Sequence, residues 1–321
     1  MLIPKLFPKI LFLSVALIQT GWATPYTYVL PPDDVGVVGQ VESERALDND
    51  TLLDVARRHG LGFEEMINAN PKVDIWVPGV GTPLELPTRH VLPDAPREGI
   101  VINLPEMRLY YYPKPKQNEV PTVVTYPVSV GRMDWRTPLG LTSVVSKVTN
   151  PTWTPPETIR KEHTMKGDIL PSVVPAGEDN PLGLFALRLG VQGYLIHGTD
   201  KPWGIGMRVT HGCMRLYPED IETLFKVVPV GTPVRLINQP FKVGWLAGVL
   251  YLQIFPPLEE DRGQLIEANV LVKLISNALE GRKRYHIDSE AIQRATNEIR
   301  LTDPDDQHGF PIPIPVATEL Q

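Results

Sequence analysis

From residue 99 onward the chain is written in short β-branched and aromatic runs, each closed by proline or glycine: GIVINL, MRLYYYP, TVVTYPVSVG and LTSVVSKV. Runs of this length and composition fit strands on a half-buried pleated surface and are too short for buried helices. The 34 prolines among 321 residues act in the same direction, because proline belongs to loops and strand edges and breaks helix interiors. Residues 184–189 and 194–197 continue the pattern, with 190–193 as a turn between them. Closely spaced strands predict a mainly β domain with a few short helices, folded as an antiparallel sandwich or partly closed barrel. Such a sheet is a rigid support for whatever loop carries chemistry.

One stretch has that chemistry. Residues 194–216 read YLIHGTDKPWGIGMRVTHGCMRL and contain Cys213, the single cysteine of the chain, with His211 two positions before it and His197 a short loop upstream. The thiolate is the nucleophile, and an ordinary thiol is only about 3% ionised at pH 7, so an imidazole is needed to take the proton or to stabilise the anion. Glycines at 198, 204, 206 and 212 let backbone N–H groups approach a carbonyl closely, as an oxyanion hole requires. On spacing alone a catalytic and a structural reading stand about even, since a lone cysteine is commonly a small buried hydrophobe and a lone histidine a satisfied core residue. A zinc site built from His197, His211 and Cys213 is a third reading. Residues i and i+2 of a strand share a face, which leaves open whether His211 or His197 is the base.

At this motif the chain resembles the L,D-transpeptidases, the YkuD-type cysteine enzymes of bacterial wall synthesis. The match includes His197-Gly198-Thr199, Met207-Arg208-Val209 and Thr210-His211-Gly212-Cys213 with Arg215. Further pieces are Arg136-Thr137-Pro138-Leu139-Gly140, the PTWTPP run at 151–156, and Asn180-Pro181-Leu182-Gly183, so the likeness spans a catalytic domain at 97–238. The resemblance implies Cys213 as nucleophile and His197 as base, oriented by a backbone carbonyl near Gly198 and Thr199. It makes His211 and Gly212 shapers of the oxyanion and substrate site, and places Thr210, Arg208 and Arg215 at motif positions. The two arginines suit either substrate carboxylates or structural ion pairs. No cofactor and no metal is implied.

The reaction implied is attack on a peptidoglycan tetrapeptide at diaminopimelate with release of D-alanine, then transfer of the acyl group to another stem's diaminopimelate or to the lysine of an outer-membrane lipoprotein. Water as acceptor would make a carboxypeptidase. A non-catalytic wall-binding protein is the reading from another class. Residues 159–179 have little periodicity and read as a long surface loop, which in this family can cover the cleft.

Around this core the chain predicts three further parts. Residues 1–23 read as an export signal, with Lys5 and Lys9, an apolar run at 10–18 and cleavage after Ala23. The run falls short of the ~20 residues of a spanning helix, so no stable membrane span is expected after cleavage. A single thiol has no internal disulfide partner, which fits export to an oxidising compartment. Residues 35–88 predict strand, helix, helix, strand around DTLLDVARRHG and FEEMINAN, an order that resembles the glycan-binding LysM module. The long motif at 194–216 together with this LysM-like unit resembles the Gram-negative, periplasmic subgroup of the family. Residues 239–321 predict a hairpin bending near Gly248, helices at 265–279 and 289–299, and a proline-rich finish, FPIPIPV, with no evident core role. We expect this appendage to brace the catalytic domain or to contact a partner. The net charge of −6 leaves no basic footprint and excludes nucleic acid as an expected partner.

Overall fold

The computed structural model describes residues 26–132, 135–261, 268–301 and 310–320. The signal segment and its cleavage point, and residues 265–267 of the expected C-terminal helix, lie outside the described residues. Among the described residues no helix is long and apolar enough to cross a membrane.

The protein is mainly β. Nine strands form one sheet in the order Tyr26–Val29, Thr122–Pro127, Arg108–Tyr112, Gly99–Asn103, Pro233–Ile237, Gly140–Thr149, Phe185–Leu189, Leu195–His197, Met214–Arg215. Neighbours are antiparallel except at two junctions: Pro233–Ile237 lies parallel to Gly99–Asn103, and Met214–Arg215 lies parallel to Leu195–His197. The long strand Gly140–Thr149 curls the sheet. Residues 140–143 pair with Pro233–Ile237, and after an irregularity between Val144 and Ser146 the rest pairs with Phe185–Leu189. A bulge of that kind bends its strand and re-aims the residues beyond it.

The helix Pro218–Val227 closes one face of the sheet. Pro218 at its first position and Glu219 and Asp220 in its first turn start it, and Ile221, Leu224 and Val228 enter the core beside Leu187, Ile196 and Met214. The strand Arg108–Tyr112 is buried at every residue and shows no alternation. Its second face is covered too, by Val38 and Leu92 against Val101, Tyr110 and Tyr112.

Residues 42–86 form the expected strand, helix, helix, strand, with Glu42–Arg45 antiparallel to Pro83–Leu86 and helices Leu52–Arg58 and Phe63–Ala69 between. A capping box of Thr51 and Asp54 opens the first helix, and Val55, Ala56, Leu61 and Met66 make a small core of its own. This unit is joined to the large sheet through charge as well as packing. Glu65 and Arg108 meet at 2.6 Å with both side chains buried, and Arg57 forks onto Glu219 at 2.7 and 2.8 Å.

Residues 26–29, ahead of the expected units, add an edge strand, because Tyr26 and Tyr28 alternate inward along Thr122–Pro127. One expectation fails here. The FPIPIPV finish is no idle tail: Phe310–Glu319 is a strand of a second, four-stranded sheet, and Val316 and Ala317 are buried in it. Proline survives there because, among the described residues, 310–315 have a strand neighbour on one side only, Val249–Ile254, while Tyr285–Ile287 pairs with 317–319 and Asp288 N–H donates to the Val316 carbonyl. This C-terminal unit, with helices Ala268–Leu279 and Ser289–Leu301, has its own core and the expected hairpin, turning at Ala247 (φ 50°) and Gly248 (φ 77°). It is tied to the rest by buried Lys242, whose Nζ donates to Glu106 at 2.7 Å and to the Val91 carbonyl.

Candidate active site

The parallel junction at the end of the large sheet builds the site. Leu195–His197 and Met214–Arg215 are registered with Ile196 opposite Met214 and His197 opposite Arg215. Extending that register by one residue places Cys213, just before its strand, alongside Leu195. Side chains two apart on a strand share a face, so His197, Arg215 and Cys213 gather on one side of the junction. The buried core residues Ile196 and Met214 anchor the other side.

The turn into Cys213 depends on glycine. Gly212 has φ +98°, and a Cβ there would lie 2.9 Å from the Tyr194 ring, too close for any side chain. Residues 211–213 belong to no strand, so the strand argument by which His211 would share a face with Cys213 does not apply. Two threonines hold the kink. Thr210 Oγ1 accepts from Gly212 N–H at 3.2 Å and donates to the Cys213 carbonyl at 2.6 Å, while Thr137 Oγ1 donates to the Gly212 carbonyl at 2.8 Å. Thr137 sits in a stretch the sequence singled out but for which it offered no role.

His197 is buried at 2% exposure, with Nδ1 2.7 Å from the Gly198 carbonyl. A carbonyl only accepts, so Nδ1 bears the hydrogen and Nε2 keeps its lone pair. Burial, helped by the Arg215 cation, pushes its pKa down to about 3, so the ring is neutral at physiological pH. Cys213 is partly exposed, its Sγ 3.6 Å from the Gly193 carbonyl. Burial pushes the thiol up, while the Leu195 backbone and Arg215 pull it down. Thr199 is buried beside Gly198, and its Oγ1 accepts the Lys201 N–H at 3.0 Å.

The two arginines part company. Arg208 is committed to structure, donating to Glu260 of the C-terminal unit at 3.1 Å and to the Gly131 carbonyl at 3.2 Å. Arg215 forms no ion pair among the described residues, and its buried Nε has no hydrogen-bond partner. Burial lowers the Arg215 pKa, opposed by Asp200 and Cys213. Arg215 is a partly exposed cation close enough to Cys213 to act on its thiol.

His211 is held from outside. Its Nε2 is 3.1 Å from Glu162, and its ring meets Trp135 edge-on at 5.0 Å between centroids. Glu162 belongs to a helix, Glu157–Met165, in the segment expected to be irregular. The periodicity was hidden because Ile159 is its only buried residue. Pairs four apart, Glu157 with Lys161 and Glu162 with Lys166, support it instead. No short-range signal marks Glu162, which lies 49 positions from His211.

The small unit at 42–86 reaches this same neighbourhood. Phe63 N–H donates to the Ile205 carbonyl at 2.9 Å, and Tyr217 OH to the Leu61 carbonyl at 3.1 Å. Gly206 (φ +82°) allows the contact, since a Cβ there would be 2.4 Å from Gly62 Cα. Among the described residues no group of three or more His, Cys, Asp and Glu side chains is placed to hold a metal ion. His197, His211 and Cys213 are therefore not placed as a three-ligand zinc set.

Residues 97–236 match the model of the L,D-transpeptidase catalytic domain (YkuD). The probable L,D-transpeptidase YcfS of Escherichia coli K12 is 45% identical over 241 residues, which cover 73% of this chain and 74% of that protein. The chain belongs to the L,D-transpeptidase family. Probable L,D-transpeptidases YbiS (44% over 246 residues, 75% of this chain and 79% of that one) and ErfK/SrfK (43% over 242 residues, 74% and 76%), from the same organism, are similar to it as well. These spans exceed the matched catalytic domain, so the likeness of this L,D-transpeptidase to its relatives includes flanking residues on at least one side.

Proposed function

We propose that this L,D-transpeptidase acts on peptidoglycan stem peptides through a thioester on Cys213. The observation that carries the reading is the parallel register that puts Cys213, a neutral His197 hydrogen-bonded through Nδ1, and an Arg215 without an ion pair among the described residues on one face. His197 Nε2 takes the thiol proton as Sγ attacks the carbonyl between the L-centre of diaminopimelate and the terminal D-alanine. Gly212 N–H is occupied by Thr210, so the oxyanion falls to the Cys213 N–H, for which no acceptor is found among the described residues. His197 returns the proton to the departing D-alanine amine. An incoming amine, from another diaminopimelate or a lipoprotein lysine, then attacks the thioester and loses its proton to His197. Arg215 receives a stem carboxylate by its guanidinium fork.

We place the reaction in the periplasm after signal cleavage, with the unit at 42–86 as a LysM-like module that holds glycan. Water as acceptor, giving a carboxypeptidase, uses the same first half-reaction.

Mass spectrometry of the protein incubated with disaccharide-tetrapeptide, beside Cys213→Ala, tests this. A transient acyl adduct on the wild type alone, D-alanine release and dimeric products are expected. An adduct without dimers would move the acceptor to a lipoprotein lysine or water. Neither adduct nor products from a folded protein would leave the non-catalytic wall-binding reading.

A further inference from the structure

The helix Glu157–Met165 is seated by one apolar side chain, yet it delivers a carboxylate to the site. Glu162 Oε2 accepts from Arg132 at 2.6 Å and lies 3.1 Å from His211 Nε2, and Oε1 accepts from Lys166 at 2.8 Å. Exposed ion pairs contribute little to stability, so three donors converging on one oxygen pair need another explanation. We propose that Glu162 is a positioning residue that fixes the tautomer and orientation of His211 beside the nucleophile loop.

The chemistry is set by the acceptor. A carboxylate can only accept, so His211 Nε2 must carry a hydrogen, and Nδ1 is left with its lone pair. This is the opposite tautomer to His197, whose Nδ1 hydrogen is spent on the Gly198 carbonyl. The Trp135 edge contact restrains the ring from a second side. Arg132, Lys166 and His211 together hold the Glu162 carboxyl well below the usual carboxylate range, so it remains an acceptor through any working pH. The charged groups facing His211 are Glu162 from this helix, Arg132 from the stretch after residue 131, and Arg215 from the neighbouring strand. Burial lowers the His211 pKa and Glu162 opposes it, while both arginines add to the lowering.

The inference rests on His211 belonging to the reactive site, and its test has an arm independent of turnover. Long-range proton–nitrogen spectra of the 15N-histidine-labelled full chain, with His211 assigned by a His211→Gln spectrum, report tautomer and titration midpoint. Wild type is expected in the Nε2–H form at neutral pH. Glu162→Gln is expected to mix the tautomers and move the midpoint to lower pH, and Glu162→Asp to retain the wild-type tautomer. In the transpeptidation assay, kcat of Glu162→Gln should fall about tenfold to a hundredfold, the scale typical of lost orienting contacts, with KM for the donor peptide moving far less. Unchanged His211 signals and midpoint in folded Glu162→Gln would overturn the proposal, even if activity fell. If wild type itself proves inactive, the spectra still decide the point about Glu162, and the functional reading fails separately.

Discussion

The resting state of Cys213, the proposed nucleophile, can be read by alkylation, because it is the only cysteine and any iodoacetamide adduct reports on it alone. An ordinary thiol is about 3% thiolate at pH 7, and burial pushes Cys213 above that reference, so less than about 3% is ionised. A thiolate–imidazolium pair would evade this limit, but with a pKa near 3 only about one His197 ring in ten thousand is protonated at pH 7. The resting pair is therefore neutral thiol and neutral imidazole. Only thiolate alkylates, so the second-order rate should climb about tenfold per pH unit from 6 to 8, without a plateau below. His197→Gln should leave this profile nearly unchanged while abolishing turnover. Arg215→Gln removes a cation that pulls the thiol down, so it should slow alkylation at fixed pH. A rate that stays flat down to pH 5, or a large fall in His197→Gln, would show a preformed ion pair and refute the reasoning.

Gly212→Ala forces a side chain into φ +98° and against the Tyr194 ring, at a cost of about 1–3 kcal/mol; we expect a lower midpoint in thermal unfolding and lost turnover while far-ultraviolet circular dichroism is retained. Glu65→Gln leaves Arg108 buried without its counter-charge and should cost about 3–5 kcal/mol in urea unfolding. Arg108→Met in the same chain should recover much of it, and an additive double mutant would contradict the coupling. Ala247→Gly relieves a left-handed residue in the C-terminal hairpin and should stabilise by about 1 kcal/mol, read as a raised urea midpoint.

The sequence is legible where local rules and tertiary demand agree. Short β-branched runs became strands, and Pro218 with its following acids began a helix where expected, because each element carries its own start signal and buried stripe. The failures share a cause. The helix Glu157–Met165 has no apolar stripe, since it packs by charge onto Arg132 and His211, and its local signal is limited to the i, i+4 pairs Glu157–Lys161 and Glu162–Lys166. Pro311, Pro313 and Pro315 argue against a strand until the edge that tolerates them is known, and that edge is set by residues 249–254 and 285–287, far along the chain. Of the candidate residues, Cys213, His197 and Arg215 are gathered by the register of two short strands, which no motif spacing encodes. Arg208 had the same motif standing as Arg215, and only Glu260, supplied from the C-terminal unit, separates their uses.

The placement of the unit at 42–86 also bears on how the site keeps its shape. The Cys213 segment is tethered to that unit through Ile205 and Gly206 before Cys213 and through Tyr217 and Glu219 after it, the last to Arg57. The turn at Gly212 (φ +98°) is open to glycine without strain, but glycine is also free to leave it, so the loop keeps this shape only where surrounding contacts fix the backbone. The buried pair Glu65 and Arg108 anchors the tethers to the large sheet, because Glu65 lies on the same helix as Phe63. A module that only held substrate nearby would need no such contacts on both sides of Cys213. Its packing makes it part of the scaffold of the reactive loop, so glycan held there would be fixed at a constant distance from Cys213 rather than swung on a linker.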